Sequence, residues 1–370
     1  MTPSRMPRTP RPGPLPASDR LASMSRALPM RACDLLHRAT PRRGAVLFLL
    51  LLTLACAGCG SGGSGSTQRN GQAGTVPQGT SSQAGNGTGT AVLPGTGKPP
   101  VTIGEKNFNE QFVLAQLYTI ALEAQGYTVQ LNQTGPTSVT TAALQTGALD
   151  MYPEYLNTFN TTIANDRRRY RNELAAYAAA QHYASKHGLT LLTATPFSDT
   201  PALGVTVGYA QGNHLASVRD LARVAPTMVV GGPPEFQQLS PGLSDLQRGY
   251  GFRVRTFESL GIGDQYTALN DGTIQVADVR TTDGQLTSGN YTVLADPRNT
   301  FGWGNAVPVV SQKALAAEGP AFAATVDRVS ALLSLDVIRA LNQAVDVAGE
   351  DPNVVARTFL ETHGVIPPGS

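Results

Sequence analysis

Lys106 is the first residue placed to do chemistry. It stands in VTIGEKNFNEQF (101–112), in a turn between a short apolar run and a helical pattern, with the amides of Asn107 and Asn109 beside it. A lysine among amide donors suits the carboxylate of a ligand; the alternative is a solvated turn lysine. Two acids, Asp150 and Glu154, flank the end of another apolar run, LDMYPEY (149–155), where carboxylates bind ligand or backbone. The histidines offer no metal pair: His182 and His187 are five apart on a helix, not the four that puts two imidazoles on one face, and His37, His214 and His363 stand alone. There is no G-x-S-x-G elbow and no P-loop. All three cysteines, Cys33, Cys56 and Cys59, precede residue 60, so the remainder has neither an internal disulfide nor a thiolate metal site. These observations argue against an enzyme, a metal centre or a bound cofactor. They leave a ligand-binding reading.

Several elements must position such a site. Residues 101–103 read as a strand ended by Gly104. A helix follows, with Val113, Leu117, Ile120 and Ala124 on one apolar face, Asn107 or Asn109 as its cap and Gly126 as its stop. Strand 127–131, helix 137–146 with Val139, Ala143 and Leu144 inward, and strand 149–152 continue the alternation. An Ala-rich helix covers 173–187, behind a solvated run Arg167-Arg168-Arg169. Beyond the prolines Pro196 and Pro201 come strands at 202–209, 228–231, 253–257, 274–279 and 291–294. Short helices at 218–221, 243–249 and 266–270 lie between them. A Gly/Pro-rich return at 301–310 leads to helices at 320–333, 336–348 and 352–363. Alternating strands and helices mean an α/β fold with largely parallel sheets. Ligands in such sheets sit beyond the carboxyl ends of the strands.

Charge is distributed unevenly. The net charge of the chain is +2, yet residues 1–43 carry nine arginines and two aspartates, whereas from residue 100 onward 17 basic residues face 24 acidic ones, a net of −7. A mildly acidic folded part argues against a nucleic-acid partner held through phosphates. Behind Arg42 and Arg43 lies an uncharged run of 14 residues, GAVLFLLLLTLACA (44–57). It is shorter than the ~20 residues a spanning helix needs and fits the apolar core of a signal peptide. Ala57-Gly58-Cys59 resembles a bacterial lipobox, in which small residues precede a lipidated cysteine; Cys56 is the weaker alternative. Residues 60–100 are rich in Gly, Ser, Thr, Gln and Asn, a composition that reads as a flexible tether. The expected organisation is a leader over 1–58 and a lipid-anchored linker over 59–99, carrying a domain outside the cytoplasm at the cell membrane.

Six segments in register then point one way. IGEKNFNEQF resembles the opening of the substrate-binding proteins for glycine betaine, choline and related osmoprotectants, which serve ABC importers. LDMYPEY (149–155), PEF (234–236), GYGF (249–252), TTDG (281–284) and LADP (294–297) follow in the order and spacing of that family. The resemblance covers about residues 101–366. It implies a two-lobe periplasmic-binding-protein fold, type II-like, with two crossing segments at the hinge. Lobe 1 would be 100–198 plus 305–370 and lobe 2 would be 199–304. The partners implied are a small solute and an ABC permease subunit, with the binding protein acting as a monomer.

The family holds a quaternary ammonium in a box of tyrosines, because a methylated cation has no N–H to donate and is held by ring faces. Lys106 matches the family lysine, Tyr155 a box tyrosine after the Pro-Glu pair, and Tyr266 a second. The other two box positions are Pro201 and Arg280, and the place of a carboxylate-binding arginine falls near Leu239. Arg280 therefore bears on the ligand class. Facing the pocket, it repels a quaternary ammonium and suits an anion; paired with Asp278 or Asp283, it leaves the pocket. The expected ligand is an osmoprotectant-type solute. The alternatives are another small polar or anionic solute on the same scaffold, or a sensor that binds ligand without transport.

Overall fold

The computed structural model describes residues 92–369. The signal-peptide run, Cys56, Cys59 and most of the expected tether lie outside the described residues. The end of that tether is docked: residues 94–97 form a turn in which the Gly95 N–H donates to Gln125 O at 2.9 Å, and Lys98 Nζ donates to Ala317 O at 2.8 Å.

Two five-stranded sheets carry the fold, and both follow one plan. The first has the order β2-β1-β3-β10-β4, from β1 (Val101–Lys106), β2 (Val129–Thr134), β3 (Met151–Tyr155), β4 (Leu189–Leu191) and β10 (Ala306–Ser311). The second has the order β7-β6-β8-β5-β9, from β5 (Pro201–Thr206), β6 (Val229–Gly232), β7 (Thr256–Ser259), β8 (Val276–Arg280) and β9 (Tyr291–Val293). In each, three parallel strands are followed by one antiparallel strand: β10 beside β3, and β5 beside β8. That strand arrives by a crossing. Residues 192–200 lead from the first sheet into β5, and residues 294–305 lead from β9 back into β10.

The crossings pair with each other. Ser198 bridges Asn305 in antiparallel fashion, the Asp199 N–H donates to Gly304 O at 2.9 Å, and the Gly304 N–H donates to Ser198 Oγ at 2.9 Å. A Cβ on Gly304 would stand 2.0 Å from Asp199 O, so only glycine permits this approach.

The core forms around each sheet. Helix Asn109–Glu123 is covered by the C-terminal helices Pro320–Leu332 and Pro352–Thr362: Leu117, Ile120, Phe322, Val326, Phe359 and Leu360 lie in one buried cluster with Val101 and Ile103 of β1. Val205, Met228, Val230, Leu246, Phe252 and Val276 form the core of the second sheet.

Three local expectations are corrected. β1 runs through Gly104 to Lys106, because extended backbone tolerates glycine; this glycine makes room for Leu149, whose Cδ1 would lie 2.6 Å from a Cβ there. Neither asparagine caps helix Asn109–Glu123. The cap is Phe108, while Asn107 accepts from Gln133 Nε2 and Asn109 donates to Asp346. Helix Thr137–Thr146 does end at Gly147, but Val139 is 55% exposed and the inward face is Thr140, Thr141 and Leu144. Those threonines hydrogen-bond inward, to Thr134 Oγ1 at 2.7 Å and to Tyr152 at 3.0 Å, which a purely apolar pattern does not register.

Candidate functional site

β1 and β3 are parallel neighbours, and their carboxyl ends place Lys106 beside Glu154 and Tyr155. Lys106 Nζ lies 2.5 Å from Glu154 Oε1, and both side chains are buried. The same oxygen accepts the Tyr155 N–H at 2.8 Å, and Glu154 Oε2 is buried without a partner. The ammonium also stands 5.2 Å from the centroid of the Tyr155 ring and 5.9 Å from that of Phe108, and these two rings stack 6.2 Å apart. Lys106 thus meets a carboxylate, but one of the protein's own, and sits over aromatic faces of the kind that hold cations.

Tyr155 is buried, and its hydroxyl donates to Glu110 Oε1 at 2.7 Å. Glu110 Oε2 accepts from Asn342 Nδ2 at 2.8 Å, and the same amide donates to Thr282 O at 2.9 Å. The Glu110 carboxyl makes no ion pair among the described residues. Burial, and next the charge of Asp199, push its pKa up to about 7, against the pull of the hydrogen bonds from Tyr155, Thr282 and Asn342.

The second sheet contributes Arg280 at the end of β8 and Tyr266 from helix Asp264–Asn270. Tyr266 is buried; its hydroxyl donates to Asp283 Oδ2 at 2.6 Å, and the Arg280 N–H donates to that oxygen at 2.9 Å. The Arg280 guanidinium forms a two-point pair with Asp199, Nε to Oδ1 at 2.8 Å and Nη2 to Oδ2 at 2.7 Å. Its partner is therefore Asp199 of the first crossing, rather than the side chain of Asp278 or Asp283. Pro201 and Arg280, the two non-aromatic box positions, face each other across the β5–β8 pair. Leu239 is 61% exposed.

Tyr155, Glu110, Asp199 and Arg280 form one electrostatic cluster. Burial works against the charge of Arg280, and the paired carboxylate of Asp199 more than offsets it and holds the guanidinium ionised. Tyr266 joins it through Asp283, and Lys106 through Glu154. Asp199, Glu110 and Asn342 were not foreseen. Glu110 reads as an ordinary acid in the first turn of a helix, and the other two come from the crossing and from helix Leu335–Asn342, far away in sequence.

Beyond Tyr155 lies an open cleft of about 350 Å³, lined on one side by residues among 157–176 and on the other by residues among 240–245 and 298–303. None of Lys106, Tyr155, Tyr266 and Arg280 lines it.

Two α/β sheets joined by two crossings, with polar groups gathered at their carboxyl ends, are the architecture of two-lobe periplasmic substrate-binding proteins. Residues 99–362 match the model of the substrate-binding domain of ABC-type glycine betaine transport systems, and the chain belongs to that family. It is 30% identical over 278 residues to a glycine-betaine-binding protein of Pseudomonas aeruginosa, covering 72% of this chain and 89% of that one. It is 29% identical over 286 residues to the glycine betaine-binding protein YehZ of Escherichia coli, covering 74% and 93%. Among solved structures, that of a glycine betaine/carnitine/choline ABC transporter matches 72% of this chain and 99% of its own at 25% identity, with a TM-score of 0.68. Apo YehZ matches at 25% identity with a TM-score of 0.63. The family is a solute-binding component of transport.

Proposed function

We propose that the protein captures a small zwitterionic or cationic osmoprotectant-type solute between its two lobes and hands it to an ABC permease. Lobe 1 is 100–198 plus 305–370, and lobe 2 is 199–304. The observation that carries the solute class is the pairing of Arg280 with Asp199. A desolvated free guanidinium would repel a quaternary ammonium. Here its charge is matched by a two-point carboxylate, so the arginine no longer opposes a cation. Glu154 is matched by Lys106 and Asp199 by Arg280, while Asp283, and Glu110 once it ionises above about pH 7, add negative charge to the cluster. An acidic field beside a tyrosine ring suits a methylated cation.

In this reading Tyr155 supplies the ring face and Tyr266 fixes Asp283. Lys106 and Arg280 hold the carboxylates that set the field. The names of the relatives, which include binding proteins for glycine betaine and for carnitine, support the same solute class. The protein acts outside the cytoplasm as a monomer, anchored to the cell membrane through lipid on Cys59.

The test is calorimetric titration of the intact protein with glycine betaine, proline betaine, choline and carnitine. Micromolar binding of at least one is expected, weakened at least tenfold by Tyr155→Ala. Silence from all four in a folded protein would move the ligand to another polar or anionic solute. An unchanged dissociation constant in the variant would remove Tyr155 from the site.

A further inference from the structure

Arginines stand on both sides of the open cleft. Arg167, Arg168 and Arg169 line one wall, and Arg171 follows two positions on. Arg298 lines the other wall, and its Cδ would lie 3.7 Å from a Cβ on Gly249, which places it next to Arg248. All six are exposed. The acids of the same stretches, Asp166, Glu173, Asp245 and Asp296, are only partly exposed. Asp166 pairs with Arg168, whose side chain is 74% exposed against 18% for the acid. Asp245 pairs with Arg248 in the same way, 11% against 71%. Asp296 accepts the Tyr250 hydroxyl and, at 2.6 Å, the Thr300 N–H. The carboxylates are therefore recessed, and the guanidinium groups form the outermost layer of charge.

This face is unlike the rest of the domain. Six of the 17 basic residues beyond position 100 gather here, with four of the 24 acidic ones, although those residues as a whole carry a net charge of −7. A molecule charged in this way is drawn to an anionic surface by one face and repelled by the others, so contact and orientation come together. The arginines project outward from two walls and enclose no small pocket, which suits a plane of phosphate groups, each able to take a guanidinium at two points.

A second observation concerns the chain that precedes the structure. Residues 60–91 separate Cys59 from the first described residue, and their composition is that of a linker. A Gly/Ser-rich linker of that length has a reach of roughly 30 Å. A domain held so close to a membrane meets it at high effective concentration, and an attraction too weak to hold a free protein is then enough.

We infer that this arginine face docks the domain on the anionic lipid headgroups of the membrane that carries it. The inference rests on the lipid anchoring proposed above and adds a contact that solute binding does not require.

Trp303 lines the cleft between the arginine walls and is the only tryptophan in the chain, so energy transfer from it to a dansyl-labelled headgroup lipid reports how near this face lies to the bilayer. The experiment places the full lipidated chain on vesicles of phosphatidylcholine, with or without about 30% phosphatidylglycerol, and measures both flotation and transfer. Transfer is expected to be at least about twofold greater on the anionic vesicles, and the excess is expected to vanish in 1 M salt, where charges are screened within about 3 Å. Replacing Arg167, Arg169 and Arg171 together by Gln, three exposed positions without an ion pair among the described residues, is expected to abolish the excess. The same loss of charge at Arg219, Arg253 and Lys313, exposed on other segments, is expected to leave most of it. Flotation with both vesicles but equal transfer would overturn the inference, leave the anchor standing, and turn the search to an acidic protein segment as partner. An equal loss in the two triple variants would overturn it as well, because net charge rather than this face would then be responsible. Flotation with the anionic vesicles alone would overturn the lipid anchor and support the arginine face; flotation with neither would overturn both.

Discussion

Glu110 has an acid–base property that the sequence does not suggest. Its carboxyl is buried against Tyr155, Asn342 and the charge of Asp199, and its pKa rises from 4.5 to about 7. The folded state therefore binds this proton more tightly than the unfolded chain does. The stability this contributes is fully present below pH 4.5 and is lost as the pH rises to about 7. At about 1.4 kcal/mol per pKa unit, the loss is on the order of 3 kcal/mol. Asp278, raised to about 7 by burial first and then by Asp283, against the pull of Arg280, adds a loss of the same sign. Urea unfolding at pH 5 and pH 7.5 is expected to show the protein less stable at the higher pH, with a smaller difference in Glu110→Gln. Equal pH differences in the two proteins would show that Glu110 does not titrate in this window. At this scale the sequence was legible where neighbours in the chain are neighbours in space, as with Glu154 and Tyr155. It was not legible where partners are far apart. Arg280 and Asp199 are separated by 81 positions, and Asn342 and Glu110 by 232, and no local pattern marks such pairs.

The two crossings are the elements on which the site depends. Asp199 is held by the antiparallel contact with Gly304, and through Asp199 that contact fixes Arg280. Thr281 ties the same place to the second sheet, its hydroxyl donating to Ser198 O at 2.6 Å and accepting the Thr200 N–H at 3.0 Å. Gly304→Ala puts a methyl against a backbone oxygen that has no flexible end to yield, so the crossings must separate. The expected cost is about 1–3 kcal/mol in urea unfolding, the range for overpacking a close contact, with weaker solute binding in the same variant. A variant of unchanged stability would show that the crossings are less tightly paired than their hydrogen bonds imply. The alternation of strands and helices was readable from period and punctuation. The short β4 was not, because three residues give no period, and neither was the continuation of β1 through Gly104. A glycine signals a break only when its backbone needs positive φ, and this one is extended.

At the scale of the molecule, the two sheets repeat one plan and are joined by more than the crossings. The Asn342 amide spans Glu110, which packs with the first sheet, and Thr282 O, which follows β8, and Arg339 Nε donates to Thr281 O at 2.7 Å. Helix Leu335–Asn342 thus belongs to the first core and grips the second sheet's loop. Gly284 of that loop lies so close to Gln343 that a Cβ would stand 2.5 Å from its backbone. Such coupling makes the two halves unfold together, and a solute held between them stabilises both. At a free concentration one hundred times its dissociation constant, a bound solute adds about 2.7 kcal/mol to the folded state. For a domain of this size each kcal/mol raises Tm by roughly 2–4 °C, so the expected rise is about 5–10 °C. Scanning calorimetry is expected to show one transition that moves as a whole when the tightest of the tested solutes is added. Two transitions of which only one moves would mean that the solute contacts a single lobe, and the capture of solute between the lobes would have to be abandoned.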